Sequence, residues 1–221
     1  MAENLVNISE VIAHGIIFDP KNSERIRTMD FNQLLQSIPR LFDLLEERRV
    51  EYVLVGGIAM LVYVEGRNTQ DIVLIITRND LKKLPEFSVC EENVEFSRCL
   101  YEDLQVDFLY VKNKLFDTVR KDYSTMKPFA DRMIPCANVE GLVLLKLFAL
   151  PSLYRQARFD KVRTYQKDIA DLIEKYRPDT APLMKELAEH MLPSDIAELE
   201  KILQHIEDEI AQSQQRFRGN E

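Results

Sequence analysis

Cysteine, histidine and glycine are all scarce in this chain of 221 residues. The three cysteines, Cys90, Cys99 and Cys136, are too few and too irregularly spaced for a disulfide framework. They form no C-x-x-C pair, and the three histidines (His14, His190, His205) lie far from them in sequence, which argues against a zinc site. Thiols in a reducing cytoplasm fit this pattern. Long apolar runs are missing too: the longest, residues 142–150, is interrupted by Lys146 and is too short to span a bilayer. The opening MAENLVNISEVIAHG carries acidic residues early and has no basic segment before an apolar one, so it does not read as a signal peptide. A cytoplasmic location is therefore expected. Neither the G-x-G-x-x-G pattern nor the P-loop pattern occurs, which removes the usual dinucleotide and Walker assignments.

What the chain does contain is ordinary for a globular protein, with 46% hydrophobic and 30% charged residues. The length suits one domain, or one core with a helical appendage. A net charge of −8 argues against a surface that binds nucleic acid broadly. Residues 1–30 read as an N-terminal extension in which 8–17 suits either helix or strand. Asp30 can cap a helix carrying Leu34, Leu35, Ile38, Phe42 and Leu45 at helical spacing, with Pro39 kinking or restarting it.

Residues 31–138 then read as an α/β core. Its expected strands are 51–55, 71–76, 94–99, 105–111 and 132–136, and its short helices are 58–64, one capped by Asn79 and ended by Pro85, and one from Leu115. Residues 139–221 read as a C-terminal helical region packed on that core. Its helices are 139–150, 154–176, 182–191 and 196 to about 214, with Pro151, Pro178 and Pro193 marking the breaks. The expected fold class is α/β (α+β): a small mixed sheet flanked by helices, followed by a helical bundle.

Three of the six glycines, Gly56, Gly57 and Gly66, fall in the single window YVLVGGIAMLVYVEGRNTQDIVLII. Gly56-Gly57 sits between a strand and a helix N-terminus, where exposed amides can cradle a phosphate or the pair can simply make a tight turn. Asp71 opens one buried-looking strand and Asp107 lies inside another, QVDFLYV. Burying carboxylates in apolar strands is costly unless they are paired or bound to a cation, so each reads as half of a salt bridge or as a magnesium ligand. Lys146 lies in LVLLKLFAL, apolar nearly all round, and needs an anionic partner. Asp168 and Asp171, three apart on the next helix, share a face, and Asp168 borders its apolar stripe. Lys146 and Asp168 read either as a structural pair or as a lysine on a nucleotide phosphate with the aspartate orienting it.

In this order the residues resemble the minimal nucleotidyltransferases with a DNA polymerase beta-like fold, most of all the bacterial branch that includes the abortive-infection AbiE-type toxin nucleotidyltransferases. That family has a Gly-Gly or Gly-Ser turn after the first strand, an R-x-T-x-D-x-D strand, a third aspartate in a later strand, a lysine helix and a K-D-x-x-D-L helix. Here these are Gly56-Gly57, the run Arg67-Asn68-Thr69-Gln70-Asp71-Ile72-Val73, then Asp107, Lys146, and Lys167-Asp168-Ile169-Ala170-Asp171-Leu172. The match covers roughly residues 31–175. One position departs: Val73 stands where the family has the second aspartate of D-x-D. Residues 71 and 73 of a strand face the same side, so that loss removes one of three ligands from a two-metal site.

The resemblance implies a magnesium-dependent enzyme that transfers a nucleoside monophosphate from a nucleoside triphosphate to a hydroxyl on RNA, protein or a small molecule. Asp71 and Asp107 would hold magnesium, while Gly56, Gly57, Arg67, Thr69 and Lys146 would contact the triphosphate. Asp168 and Asp171 would position Lys146 or deprotonate the acceptor. The charged segment 155–167 reads as an RNA contact or as a solvated helix face. The alternative, which Val73 supports, is a catalytically degenerate nucleotidyltransferase-fold protein. It would bind a nucleotide or act as one half of a toxin–antitoxin-type pair. In the last helix Ile196, Leu199, Leu203, Ile206 and Ile210 would cover either their own core or a protein partner.

Overall fold

A computed structural model of the protein describes residues 5–66 and 68–218, in two compact units, one ending at Asn138 and the other beginning at Val139. In the first unit, α1 (Ile8–Ile17) resolves the ambiguity of that segment as helix. The Asn7 side chain accepts from the Glu10 amide at its start, and Ile8, Ile12 and Ile16 form its buried stripe. A single turn, Pro20–Asn22, leads to α2 (Ser23–Thr28) and α3 (Phe31–Glu47). Asp30 caps α3 by accepting from the Asn32 and Gln33 amides. Pro39 sits inside α3, and the helix runs through it. Proline has no N–H to give the Leu35 carbonyl four residues back. The Ser9 hydroxyl of α1 donates to that carbonyl instead, at 3.2 Å.

The rest of the first unit is β1 (Tyr52–Val55), α4 (Gly56–Met60), β2 (Ile72–Ile76), α5 (Arg78–Leu81), β3 (Ser88–Glu92), β4 (Phe96–Tyr101), β5 (Leu104–Tyr110), α6 (Lys114–Asp122), β6 (Ser124–Pro128) and β7 (Met133–Ala137). The strands form one mixed seven-stranded sheet in the order β3-β4-β5-β2-β1-β7-β6. Pairs β2–β5 and β1–β7 are parallel and the others antiparallel. One sheet face is sealed: Leu54, Ile72, Leu74, Ile76, Val106, Phe108, Cys99 and Cys136 have no exposed surface. Phe42 of α3 packs its ring against Tyr52 on that face, and Phe87 packs against Phe108.

Several boundaries differ from the sequence reading. Strands β3 and β6 were not expected; both are edge strands, β3 exposed throughout, so neither carries the alternation that betrays a half-buried strand. Thr77, not Asn79, caps α5 by accepting from the Asp80 amide at 3.0 Å. Helix α4 stops at Met60, and Asp71 falls just before β2 rather than inside it. Among the cysteines, Cys90 on β3 is exposed while Cys99 and Cys136 are buried, and burial pushes the Cys136 thiol up to about 12.

The second unit is helical: α7 (Val139–Arg155), α8 (Phe159–Tyr176), α9 (Thr180–Ala188) and α10 (Pro193–Arg218). Pro151 lies inside α7 and does not break it. Leu199, Leu203 and Ile206 of α10 are buried within this unit, where α10 packs on α8 and α9. No described helix is long and apolar enough to cross a membrane.

The first 30 residues also hold the loop that feeds β2. Asn22 donates to the Gln70 side chain at 2.8 Å, and Gln70 donates to Asp19 at 2.7 Å. Gly15 lies directly against the Thr69 backbone, and a Cβ there would collide with its carbonyl. Glycine to alanine within a helix ordinarily gains up to about 1 kcal/mol. Here the sign reverses: Gly15→Ala is expected to destabilise the protein by about 1–3 kcal/mol, the scale of an overpacked core, measured by urea unfolding.

Candidate functional site

The parallel register of β2 on β5 pairs Val73 with Asp107. Val55 of β1 pairs with Val73, Arg98 of β4 with Asp107, and Glu91 of β3 with Arg98. Because directly paired residues point the same way, Val55, Val73, Asp107, Arg98 and Glu91 form one row across five strands on the less covered face. Asp71 precedes Val73 by two residues, just before β2, and is near enough for its charge to act on both Asp107 and Arg98. The composition of the row changes along it, from apolar at the β1 end to charged at the β3 end.

Asp107 is buried, with both carboxylate oxygens held. Arg98 donates from Nε to Oδ1 at 3.0 Å and from Nη2 to Oδ2 at 3.1 Å, a bidentate pair, and Gln105 Nε2 donates to Oδ1 at 3.2 Å. Burial pushes the Asp107 carboxyl above its ordinary range; the guanidinium pulls it back without cancelling that effect, and the nearby Asp71 charge adds to the rise. Arg98 is raised, chiefly by its hydrogen bonds to Asp107, with smaller contributions from Glu91 and Asp71. Its third contact, Nη1 to Glu91 Oε2, is 3.4 Å. Asp71 is half-buried and accepts from the Thr69 hydroxyl at 3.2 Å, while Thr69 is itself buried.

Gly56 has φ +72°, in the region that glycine alone enters without strain. A Cβ at Gly56 would lie 2.9 Å from Val73 Cγ2. The diglycine turn therefore borders the same row, and a local backbone reason for its first glycine is on hand. Helix α4 behind it is only five residues long.

A magnesium ion asks for about six oxygens in near-octahedral array. The side chains here do not fit a magnesium pair. A valine is paired directly with Asp107 in the row, and both Asp107 oxygens already accept from a guanidinium. Among the described residues no group of three or more His, Cys, Asp or Glu is placed to hold a metal.

The remaining candidates belong to the second unit, apart from Arg67, which lies outside the described residues. Lys146 and Asp168 are both buried and meet at 2.6 Å, with the Lys146 ammonium 4.6 Å from the Tyr165 ring centre. Asp171 pairs instead with Lys167 at 2.6 Å on the helix surface. Sequence reasoning missed Arg98. The signal was present: in F-S-R-C-L-Y the arginine alternates with buried Ser97 and Cys99, on the strand preceding the one that carries Asp107.

No protein-family model matches the sequence, and no curated protein matches it significantly. Among solved structures the chain is similar to an antigenic nucleotidyltransferase-like protein from Paracoccidioides brasiliensis, at 16% identity over 76% of this chain and 89% of that one, with a TM-score of 0.48. It is also similar to ANT(2")-Ia in complex with adenylyl-2"-tobramycin, at 15% identity over 68% of this chain and 97% of that one, TM-score 0.48. The solution structure of the antibiotic-resistance factor ANT(2'')-Ia aligns at 16% identity over 73% of this chain and all (100%) of that one, TM-score 0.46. These likenesses concern the course of the chain, and the chemistry below rests on the side chains just described.

The two acidic residues of α8 separate cleanly by experiment. Removing one partner of a buried pair typically costs about 3–5 kcal/mol, whereas an exposed helix pair contributes about 0.3–0.5 kcal/mol. Asp168→Ala is therefore expected to destabilise by about 3 kcal/mol or more and Asp171→Ala by less than about 1 kcal/mol, as read by chemical denaturation.

Proposed function

We propose that this protein is a nucleotidyltransferase-like nucleotide-binding protein that does not carry out nucleotidyl transfer. The observation that carries the reading is the Val73–Asp107–Arg98 row: an apolar side chain stands where a second metal-facing carboxylate is needed, and the next carboxylate is committed to an arginine. A two-metal transfer requires carboxylates that activate the attacking oxygen and stabilise the leaving group. In this reading Gly56, Gly57 and Asp71 would face the triphosphate. Asp71, Asp107 and Glu91 against one guanidinium leave this cluster negative, so the ligand class is a nucleoside triphosphate whose own magnesium, held on its phosphates and not by these carboxylates, lowers its charge below that of the bare polyphosphate. In this reading Lys146 and Asp168 stabilise the second unit as an ion pair, and Thr69 positions Asp71.

Calorimetric titration with each magnesium nucleoside triphosphate is expected to give heat for at least one of them. Radiolabel transfer from the same nucleotides to RNA or protein acceptors is expected to be absent. Transfer by the unaltered chain would overturn the loss of activity. No heat with any nucleotide would overturn nucleotide binding and leave the partner-binding role.

A further inference from the structure

Deepening that reading, we infer that the Arg98 guanidinium is the resident cation of this site and excludes divalent metal from the Asp71–Asp107 pair. The inference rests on where the charges stand. Nε and Nη2 of Arg98 sit on the two Asp107 oxygens at 3.0 and 3.1 Å and fill the edge of the carboxylate through which it would chelate a metal. The planar fork of arginine matches a carboxylate's two oxygens, which a point cation does not. Asp107 is buried and Gln105 completes its hydrogen bonding, so the carboxylate is satisfied without an ion.

The Asp71 charge acts on both Asp107 and Arg98, which places all three groups in one electrostatic cluster. With Arg98 in place that cluster, Glu91 included, holds two formal negative charges; without it, three. A dication gains far more from the second arrangement, and the arginine's own positive charge repels it directly. Val73 adds a third effect, since an apolar side chain beside Asp107 supplies no replacement oxygen. Glu91, at 3.4 Å from Nη1, gives the guanidinium a second anionic neighbour on β3 and further anchors it in the row.

Manganese, a paramagnetic stand-in for magnesium, tests this on the full, nucleotide-free chain by electron paramagnetic resonance of the free ion. The unaltered protein is expected to leave the free manganese signal undiminished at millimolar metal. Arg98→Gln is expected to take up manganese with affinity raised at least about tenfold, and adding Asp71→Asn should abolish that gain. Val73→Asp alone, which keeps the ion pair, should bind more weakly than the Val73→Asp/Arg98→Gln double variant.

The inference is overturned if the unaltered chain binds manganese as tightly as Arg98→Gln. It is equally overturned if the folded Arg98→Gln protein takes up none, which would make the ion pair structural only. Arg98→Gln leaves a buried carboxylate short of its partner and can compromise folding. A measurement on the unaltered chain covers that case: the Arg98 Nε–H resonance, assigned by its loss in Arg98→Lys, should persist unshifted through millimolar magnesium. Its displacement by magnesium would defeat the inference. Because neither readout contains nucleotide, Arg98-dependent metal exclusion with no nucleotide heat would sink the nucleotide reading and leave this one standing.

Discussion

The parallel pairing of β2 with β5 is the constraint from which the candidate site follows. Its register seals Ile72, Leu74 and Ile76 with Val106, Phe108 and Tyr110 on one side and leaves Val73 and Asp107 together on the other. A slip of one residue would carry the apolar set to the open face and the carboxylate into the core, which burial forbids. The hydrophobic pattern of β2 and β5 thus fixes the position of Asp107 as firmly as any polar contact does. What remains adjustable is the neighbour across each strand, and there this chain carries valine on one side and arginine on the other.

Much of this was legible before any coordinates. The apolar run of β2, the amphipathic α3 with its Asp30 cap, and the lysine in an all-apolar α7 each follow from periodicity and from the cost of burying charge. The place of Asp107 inside an apolar strand was also readable, from the run QVDFLYV. Strands β3 and β6 were not, because an exposed edge strand has no sealed face to write into the sequence. Arg98 escaped for a related reason: its importance comes from a cross-strand partner nine residues away, and pairing register cannot be read from either strand alone. Pro151 misled because its rule concerns the hydrogen bond it removes, not whether packing keeps the helix whole.

Two of the ion pairs among the described residues, Lys146–Asp168 and Arg98–Asp107, have different characters. Lys146 and Asp168 lie deep among apolar side chains, where exchange with solvent is closed to both. Arg98 and Asp107 form an asymmetric pair: the carboxylate is buried, while 37% of the arginine side chain stays exposed to water. The first therefore acts as a fixed structural bond. The second keeps one partner in contact with water.

The distribution of thiols opens a practical route to that arginine. Cys90 lies one residue from Glu91 on the outermost strand, at the irregularity in the β3–β4 ladder, while Cys99 and Cys136 are withdrawn from solvent. A spin or fluorescent label offered to the native protein should attach at a single place without any engineered cysteine. It would sit one residue from Glu91, the carboxylate that flanks Arg98, and report on the surroundings of the guanidinium in the natural chain.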